Sequence, residues 1–120
     1  MSDDLIALAR RAVACKGFRW LPGMLTDKGL RVVTVNEEHR YLHVHPGSLL
    51  LPTQGYALPD LADAATIGCL LALVREAHGS LLASMVNERT NRWAMFFLGG
   101  PVVHGSTEAE ALVSALESAP

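Results

Sequence analysis

The longest apolar run of the chain is Leu61–His78, and its large side chains recur at helical spacing. Asp60 precedes the run as a candidate N-cap, and Gly79 follows it where a left-handed residue often ends a helix. One face carries the large residues Ile67, Leu70, Leu71 and Val74, and the other carries the small residues Ala64, Ala65, Gly68 and Ala72. The pattern predicts a central helix whose large face packs on a sheet. The small face would admit a second helix at close range, from this chain or from a second copy.

Two further helices are predicted at the ends of the chain. Ser2 is a suitable N-cap for a helix over Asp3–Cys15, in which apolar residues recur at helical spacing. Thr107 and Glu110 have the spacing of a capping box, which predicts a last helix that ends near Ser118.

Two pairs of β-rich segments each flank a short polar turn, which is the pattern of a β-hairpin. They are Leu30–Val35 with Arg40–His45 before the long helix, and Leu81–Asn87 with Arg92–Leu98 after it. The resulting order is α-β-β-α-β-β-α, an α+β arrangement. We expect one domain over residues 1–120, with an antiparallel sheet of roughly four to five strands packed against the central helix.

Two connections are unusual in composition. Phe18–Gly29 holds many large apolar groups, which either fold back over the core or form an exposed patch of the kind that marks binding sites. Pro46–Pro59 is a loop of about 14 residues, a length typical of loops that are functional or loosely ordered, and Leu49–Leu51 is a candidate short strand within it. Our candidates for contact with a partner are Arg19, Trp20, Leu21 and Met24 in the first connection, and Leu49, Leu50 and Tyr56 in the second.

Charge is distributed unevenly along a chain whose net charge is -2. Residues 10–31 hold six basic residues and one acid, whereas residues 46–120 hold three basic and seven acidic residues. Such a basic edge suits self-association or an acidic partner, and a solvated helix face and loop would also produce it. A nucleic-acid-associated protein using residues 10–31 is an alternative function, although the net charge argues against nucleic acid as a partner.

The cysteines and the N-terminal residues indicate the cellular compartment, which we expect to be reducing. Cys15 and Cys69 fall within predicted helices among apolar neighbours, which favours buried free thiols over a disulfide. Asp3 and Asp4 stand where a signal peptide would be positively charged. Charges such as Asp63 interrupt the long apolar run, so the pattern does not indicate a membrane span. We therefore expect a cytoplasmic protein with no membrane partner.

Histidines supply the candidate for a chemical site. His43 and His45 alternate on one strand face, the spacing at which two imidazoles share a metal, although two solvent-facing residues would show the same pattern. The chain has neither a G-x-S-x-G nucleophile elbow nor a G-x-x-x-x-G-K-[ST] phosphate loop. We assign no catalytic residue and no cofactor. A small metal-binding protein or hydrolase that uses His43 and His45 is a further alternative function.

Three stretches, LARRAVACKGFRWLPGM, LPDLADAATIGCLLALVREAHG and TEAEALVSALESAP, resemble small uncharacterised proteins encoded by tailed bacteriophages and prophages. The resemblance implies a phage or mobile-element origin and brings no known activity, so it assigns no residue a role. It leads us to expect a non-enzymatic phage accessory protein that acts in the host cytoplasm by contact with a host or phage protein. One form of this hypothesis is an inhibitor of a bacterial defence complex, similar to anti-CRISPR proteins. A homodimer is a further expectation.

Overall fold

The computed structural model describes residues 2–80, 83–87 and 89–120. The first part of the chain forms α1 (Asp3–Ala14), β1 (Arg31–Asn36), β2 (Tyr41–His45) and β3 (Leu49–Pro52). It continues with α2 (Ala64–His78), β4 (Ala83–Asn87), β5 (Arg92–Phe96), β6 (Val103–Gly105) and α3 (Glu108–Glu117). The fold is therefore α+β, as expected. Residues 81–82 of one predicted strand and Glu88 of its turn lie outside the described residues.

The strands form two small antiparallel sheets, with orders β1-β2-β3 and β4-β5-β6. The prediction of one sheet with four to five strands is wrong, and so is the predicted order of elements. Each predicted hairpin gains a short third strand from the chain that follows it, because Leu49–Pro52 pairs with β2 and Val103–Gly105 pairs with β5. Each sheet is thus completed locally, and among the described strands no pairing joins the two.

Helix α3, and not α2, is the element on which the helices and the second sheet converge. It contacts α1, α2, β5 and β6. Six of its residues are buried, namely Ala109, Ala111, Leu112, Val113, Ala115 and Leu116. Its small residues let neighbours approach closely, since the backbone of Gly105 lies directly against Ala111. The predicted central helix, α2, packs on α3 instead of covering a sheet.

Of the two predicted caps of α2, the one at its C-terminus agrees with the structure and the one at its N-terminus does not. The helix begins after Asp63, whose carboxylate accepts a hydrogen bond from the backbone N–H of Thr66. Asp60, the predicted N-cap, instead accepts from the backbone N–H of Ala62 in the preceding turn. Gly79 ends the helix with φ 74°, which confirms the predicted left-handed residue.

The faces of α2 differ from the prediction. Its buried residues are Thr66, Leu70, Leu73 and Val74, whereas Ile67 and Leu71 are only partly buried. The small residues Ala64, Ala65, Gly68 and Ala72 are exposed. A β-carbon added at Gly68 would meet nothing within 4 Å, so no part of this chain that the structure describes packs closely there.

The inner face of the first sheet carries its core residues. Val32, Leu42 and Val44 are buried, while the intervening residues of β2, including His43 and His45, lie on the outer face. In the second sheet β5 is the central strand, and Met95 is buried beside α3. Of the helices that the structure describes, none is both long enough and apolar enough to cross a membrane.

Candidate functional site

The two unusual connections of the sequence lie side by side and are joined by hydrogen bonds. The backbone N–H of Asp27 donates to the carbonyl oxygen of Leu58 at 2.8 Å, and the Asp27 carboxylate accepts from the Leu58 N–H at 3.1 Å. The N–H of Asp60 donates to the carbonyl oxygen of Leu25 at 2.8 Å. Residues 18–29 and 46–59 therefore form one connected surface.

Trp20 lies buried beneath the two loops and is hydrogen-bonded to one of them. Its side chain is 4% exposed, and its indole Nε1–H donates to the carbonyl oxygen of Thr53 at 3.1 Å. The ring packs edge-on against Phe18, with 5.8 Å between the ring centroids. Met24 is fully buried. Trp20 and Met24 therefore belong to the core, where burial of their large apolar side chains stabilises the fold.

An ion pair between Arg31 and Asp63 links the same surface to the N-terminus of α2. The guanidinium of Arg31 lies 2.6 and 3.2 Å from the two carboxylate oxygens of Asp63, and it also donates to the carbonyl oxygen of Gly23 at 3.0 Å. The buried hydroxyl of Thr66 accepts from the N–H of Leu25 at 2.9 Å and donates to Asp63 at 2.9 Å. Arg31, followed by Thr66, holds the pKa of Asp63 below its ordinary value.

A cleft of about 780 Å³ opens where this surface meets α1 and the turn between β1 and β2. Its volume is typical of ligand-binding sites in proteins. Its lining combines guanidinium groups, carboxylates, aromatic rings and aliphatic side chains. These residues are Arg10, Val13, Phe18, Arg19, Trp20, Asp27, Val35, Glu37, Arg40, Thr53, Gln54, Gly55, Tyr56, Ala57 and Leu58.

In the described part of the chain, some charged groups of the cleft form ion pairs with neighbouring residues, and others do not. Arg19 pairs with Glu76 of α2 at 2.8 Å, and its Nε lies 4.0 Å from a carboxylate oxygen of Glu37. The bond with Arg19 lowers the pKa of Glu76 and raises that of Arg19. Among the described carboxylates, none lies within ion-pair distance of Arg10 or Arg40. The cleft therefore presents two guanidinium groups without a carboxylate partner in this part of the chain.

The partner-contact candidates separate into two groups. Arg19, Trp20 and Tyr56 line the cleft, and Tyr56 is 53% exposed there with the Lys28 ammonium 4.7 Å from its ring centroid. Leu21 is partly buried and does not line the cleft. Leu49 and Leu50 are exposed on β3, also outside the cleft. The structure thus brings together residues from both predicted loops.

Half of the basic residues in the stretch 10–31 form ion pairs with acids of other elements. Arg11 pairs with Glu117 of α3 at 2.6 Å, Arg19 with Glu76, and Arg31 with Asp63. These internal pairs account for the uneven charge along the sequence. They also remove three of the six basic side chains from any set that would bind phosphate groups.

The other candidate chemistry lies elsewhere. His43 and His45 share the outer face of the first sheet, where their cross-strand neighbours include Leu50 and Arg31. Within the described ranges, no three histidine, cysteine or acidic residues cluster closely enough to hold a metal ion. Cys15 and Cys69 are partly buried free thiols, and burial raises the pKa of each.

Arg10 and Arg40 were not among the predicted partner-contact residues, although Arg10 belongs to the basic stretch 10–31. Arg10 has the pattern of a solvated helix residue, and Arg40 was assigned to the start of a strand. The structure places Arg40 in the preceding turn with φ 59°, a left-handed conformation that is unusual for arginine. Neither position carries a local sequence signal, because the cleft forms only when segments far apart in the chain meet.

Comparison of the chain with family models, with curated proteins and with solved structures finds no match. The function is therefore argued from the geometry of the cleft.

Proposed function

We propose that this is a non-enzymatic binding protein that contacts a partner protein through the cleft. The observation that carries the proposal is the joining of two loops by hydrogen bonds between Asp27 and Leu58, over the buried Trp20. This arrangement joins the backbones of the two loops and leaves Tyr56 and several guanidinium groups at the cleft facing solvent. A recognition surface that is held in place before binding loses less conformational entropy when the partner docks.

The chemistry of the lining supports binding over catalysis. The cleft contains no histidine, cysteine or serine among its described lining residues. Its two carboxylates are already engaged, since Asp27 accepts from the backbone of Leu58 and Glu37 lies beside Arg19. Tyrosine and arginine, by contrast, are enriched among the residues that contribute most to protein interfaces.

The proposal includes the phage setting that the sequence resemblance implies. In that setting the protein is an accessory protein whose partner is a host or phage protein, and inhibition of a bacterial defence complex is the form of the hypothesis that we would test first. The support for this setting is the resemblance of the three sequence stretches.

A comparison of variants in a capture experiment tests the proposal. We expect wild-type protein to retain a partner from bacterial lysate, and Tyr56→Ala to retain at least about ten-fold less of it, as expected for loss of an aromatic interface residue. Leu98→Ala is the matched control, because Leu98 is an exposed apolar residue outside the cleft. Equal capture by Tyr56→Ala and wild type would show that the cleft is not the interface.

A further inference from the structure

We infer that the cleft receives an acidic segment of the partner polypeptide, bound by Arg10 and Arg40. The inference rests on the proposed function and adds the chemistry of what is bound. The two arginines come from different elements, since Arg10 lies on α1 and Arg40 lies in the turn between β1 and β2. Both are exposed, and both line the same cleft.

In the part of the chain that the structure describes, the cleft has positive groups without a carboxylate partner, whereas its carboxylates already have donors beside them. This difference supports an anionic ligand. Within the described residues, the lining carboxylates of Asp27 and Glu37 have donors beside them, namely the Leu58 N–H and the Arg19 guanidinium. The Arg19 guanidinium in turn donates to the carboxylate of Glu76. Arg10 and Arg40 have no such carboxylate partner in that part of the chain. A guanidinium presents a planar fork of N–H donors that matches a carboxylate in a bidentate pair.

Arg40 occupies a left-handed position in the turn between β1 and β2, as Ser48 and Asn91 do in other turns of the two sheets. Its φ of 59° lies in the left-handed region, where glycine or asparagine is the stable choice. Residues held in such conformations against their preference are concentrated at ligand-binding sites. Arginine at this position is less stable in the folded chain than glycine would be, but it places a guanidinium at the cleft.

A polypeptide fits this charge pattern better than a nucleic acid does. A nucleic-acid backbone places a phosphate at every nucleotide, and the carboxylates of Asp27 and Glu37 beside the arginines would repel such a continuous polyanion. A peptide can place carboxylates at the arginines alone. Its neutral groups can then contact Phe18, Val13 and the exposed ring of Tyr56.

Fluorescence anisotropy with labelled peptides tests the inference on the full chain. The probe is a peptide of alternating Glu and Leu, and the comparison peptide alternates Gln and Leu. We expect the Gln peptide to bind at least about ten-fold more weakly, the size of effect expected for loss of charged hydrogen bonds. We also expect binding of the Glu peptide to weaken several-fold between about 50 mM and about 500 mM NaCl, because salt screens exposed charges.

Substitutions locate the effect. Arg10→Gln and Arg40→Gly should each weaken binding of the Glu peptide about ten-fold. Arg75→Gln is the matched control, because Arg75 is an exposed helical arginine outside the cleft. Arg40→Gly should unfold at an equal or higher urea concentration than wild type, since glycine relieves the left-handed conformation, so its weaker binding cannot be attributed to a damaged fold.

Several results would overturn the inference. These are binding of neither peptide, equal binding of both, and wild-type affinity in Arg10→Gln and Arg40→Gly. Tight binding of an oligothymidylate that depends on the same two arginines would identify a nucleic acid as the ligand. A dimer that dissociates in Arg10→Gln, seen by light scattering, would identify a second copy. If Arg10→Gln and Arg40→Gly still capture the partner that Tyr56→Ala loses, the acidic-segment inference fails and the proposed function stands.

Discussion

Gly105 is the residue at which the packing of the molecule is least tolerant of change. A β-carbon at this position would lie 2.7 Å from the Cα of Ala111 and 2.9 Å from the carbonyl carbon of Glu110, both in the backbone of α3. Backbone atoms cannot rotate away as a side chain does, so α3 would have to move. Because α3 contacts both other helices and the second sheet, such a movement affects most of the core.

We therefore expect Gly105→Ala to lower the free energy of unfolding by about 1–3 kcal/mol, the usual cost of overpacking. Urea denaturation measures the change. Gly68→Ala is the matched control, since a β-carbon at Gly68 meets open space on a helix and should raise stability by about 0.5–1 kcal/mol. Equal stability of Gly105→Ala and wild type would contradict the close approach of β6 and α3. Destabilisation by Gly68→Ala would indicate that another molecule packs on that face of α2.

At the scale of the elements, the junction between the first sheet and α2 depends on a charged residue. Asp63 caps α2 and also binds the Arg31 guanidinium at the start of β1. The bond with Arg31 and the donors of Thr66 lower the pKa of Asp63 in the folded protein. A lowered carboxyl pKa stabilises the fold at pH values above the ordinary value of 3.8, and this contribution is lost as the pH falls through the folded-state pKa.

Asp63→Asn should therefore be less stable than wild type near neutral pH, and the difference should shrink as the pH is lowered below 3.8. The effect is modest, because the Arg31 side chain is 41% exposed and water screens the pair. Urea midpoints at stepped pH values measure it. Glu38→Gln, an exposed change in the turn, serves as the control and should leave the profile unchanged. A constant difference between Asp63→Asn and wild type at every pH would show that the charge of Asp63 does not stabilise the junction.

The helices were predictable from sequence because their signals are local. Ser2 and Thr107 cap α1 and α3 as their spacing indicates, and Gly79 ends α2. The start of α2 was not predictable, since Asp60 and Asp63 are both suitable caps. The chain uses Asp63 because Arg31 and Thr66 bind its carboxylate, and those contacts arise from the tertiary structure. The division into two sheets depends likewise on where β3 and β6 pair.

The candidate site was predictable only in part. Tyr56 and Arg19 were identified from the composition of their loops and do line the cleft. The same reasoning placed Trp20 on the surface, because composition alone does not reveal which side of a loop faces the core. Arg10 and Arg40 were missed because the cleft brings together segments that are distant along the chain.

At the scale of the whole molecule, folding brings basic residues of the first part of the chain next to acidic residues that follow much later in the sequence. Two ion pairs join the basic first quarter of the chain to acidic residues of the later helices, namely Arg11–Glu117 between α1 and α3, and Arg19–Glu76 on α2. An elongated body of 43 × 29 × 19 Å results. Its cleft leaves Arg10 and Arg40 open, and we assign these two residues to recognition of a partner.

Hydrogen exchange of the protein, alone and with its captured partner, tests the central claim most directly. If the cleft is the interface, the partner should slow amide exchange at residues 53–58 and in the turn around Arg40. Exchange in the second sheet should be unchanged by the partner, because β4, β5 and β6 contribute no residue to the cleft. Slower exchange confined to the second sheet or to β3, with residues 53–58 unaffected, would contradict the account.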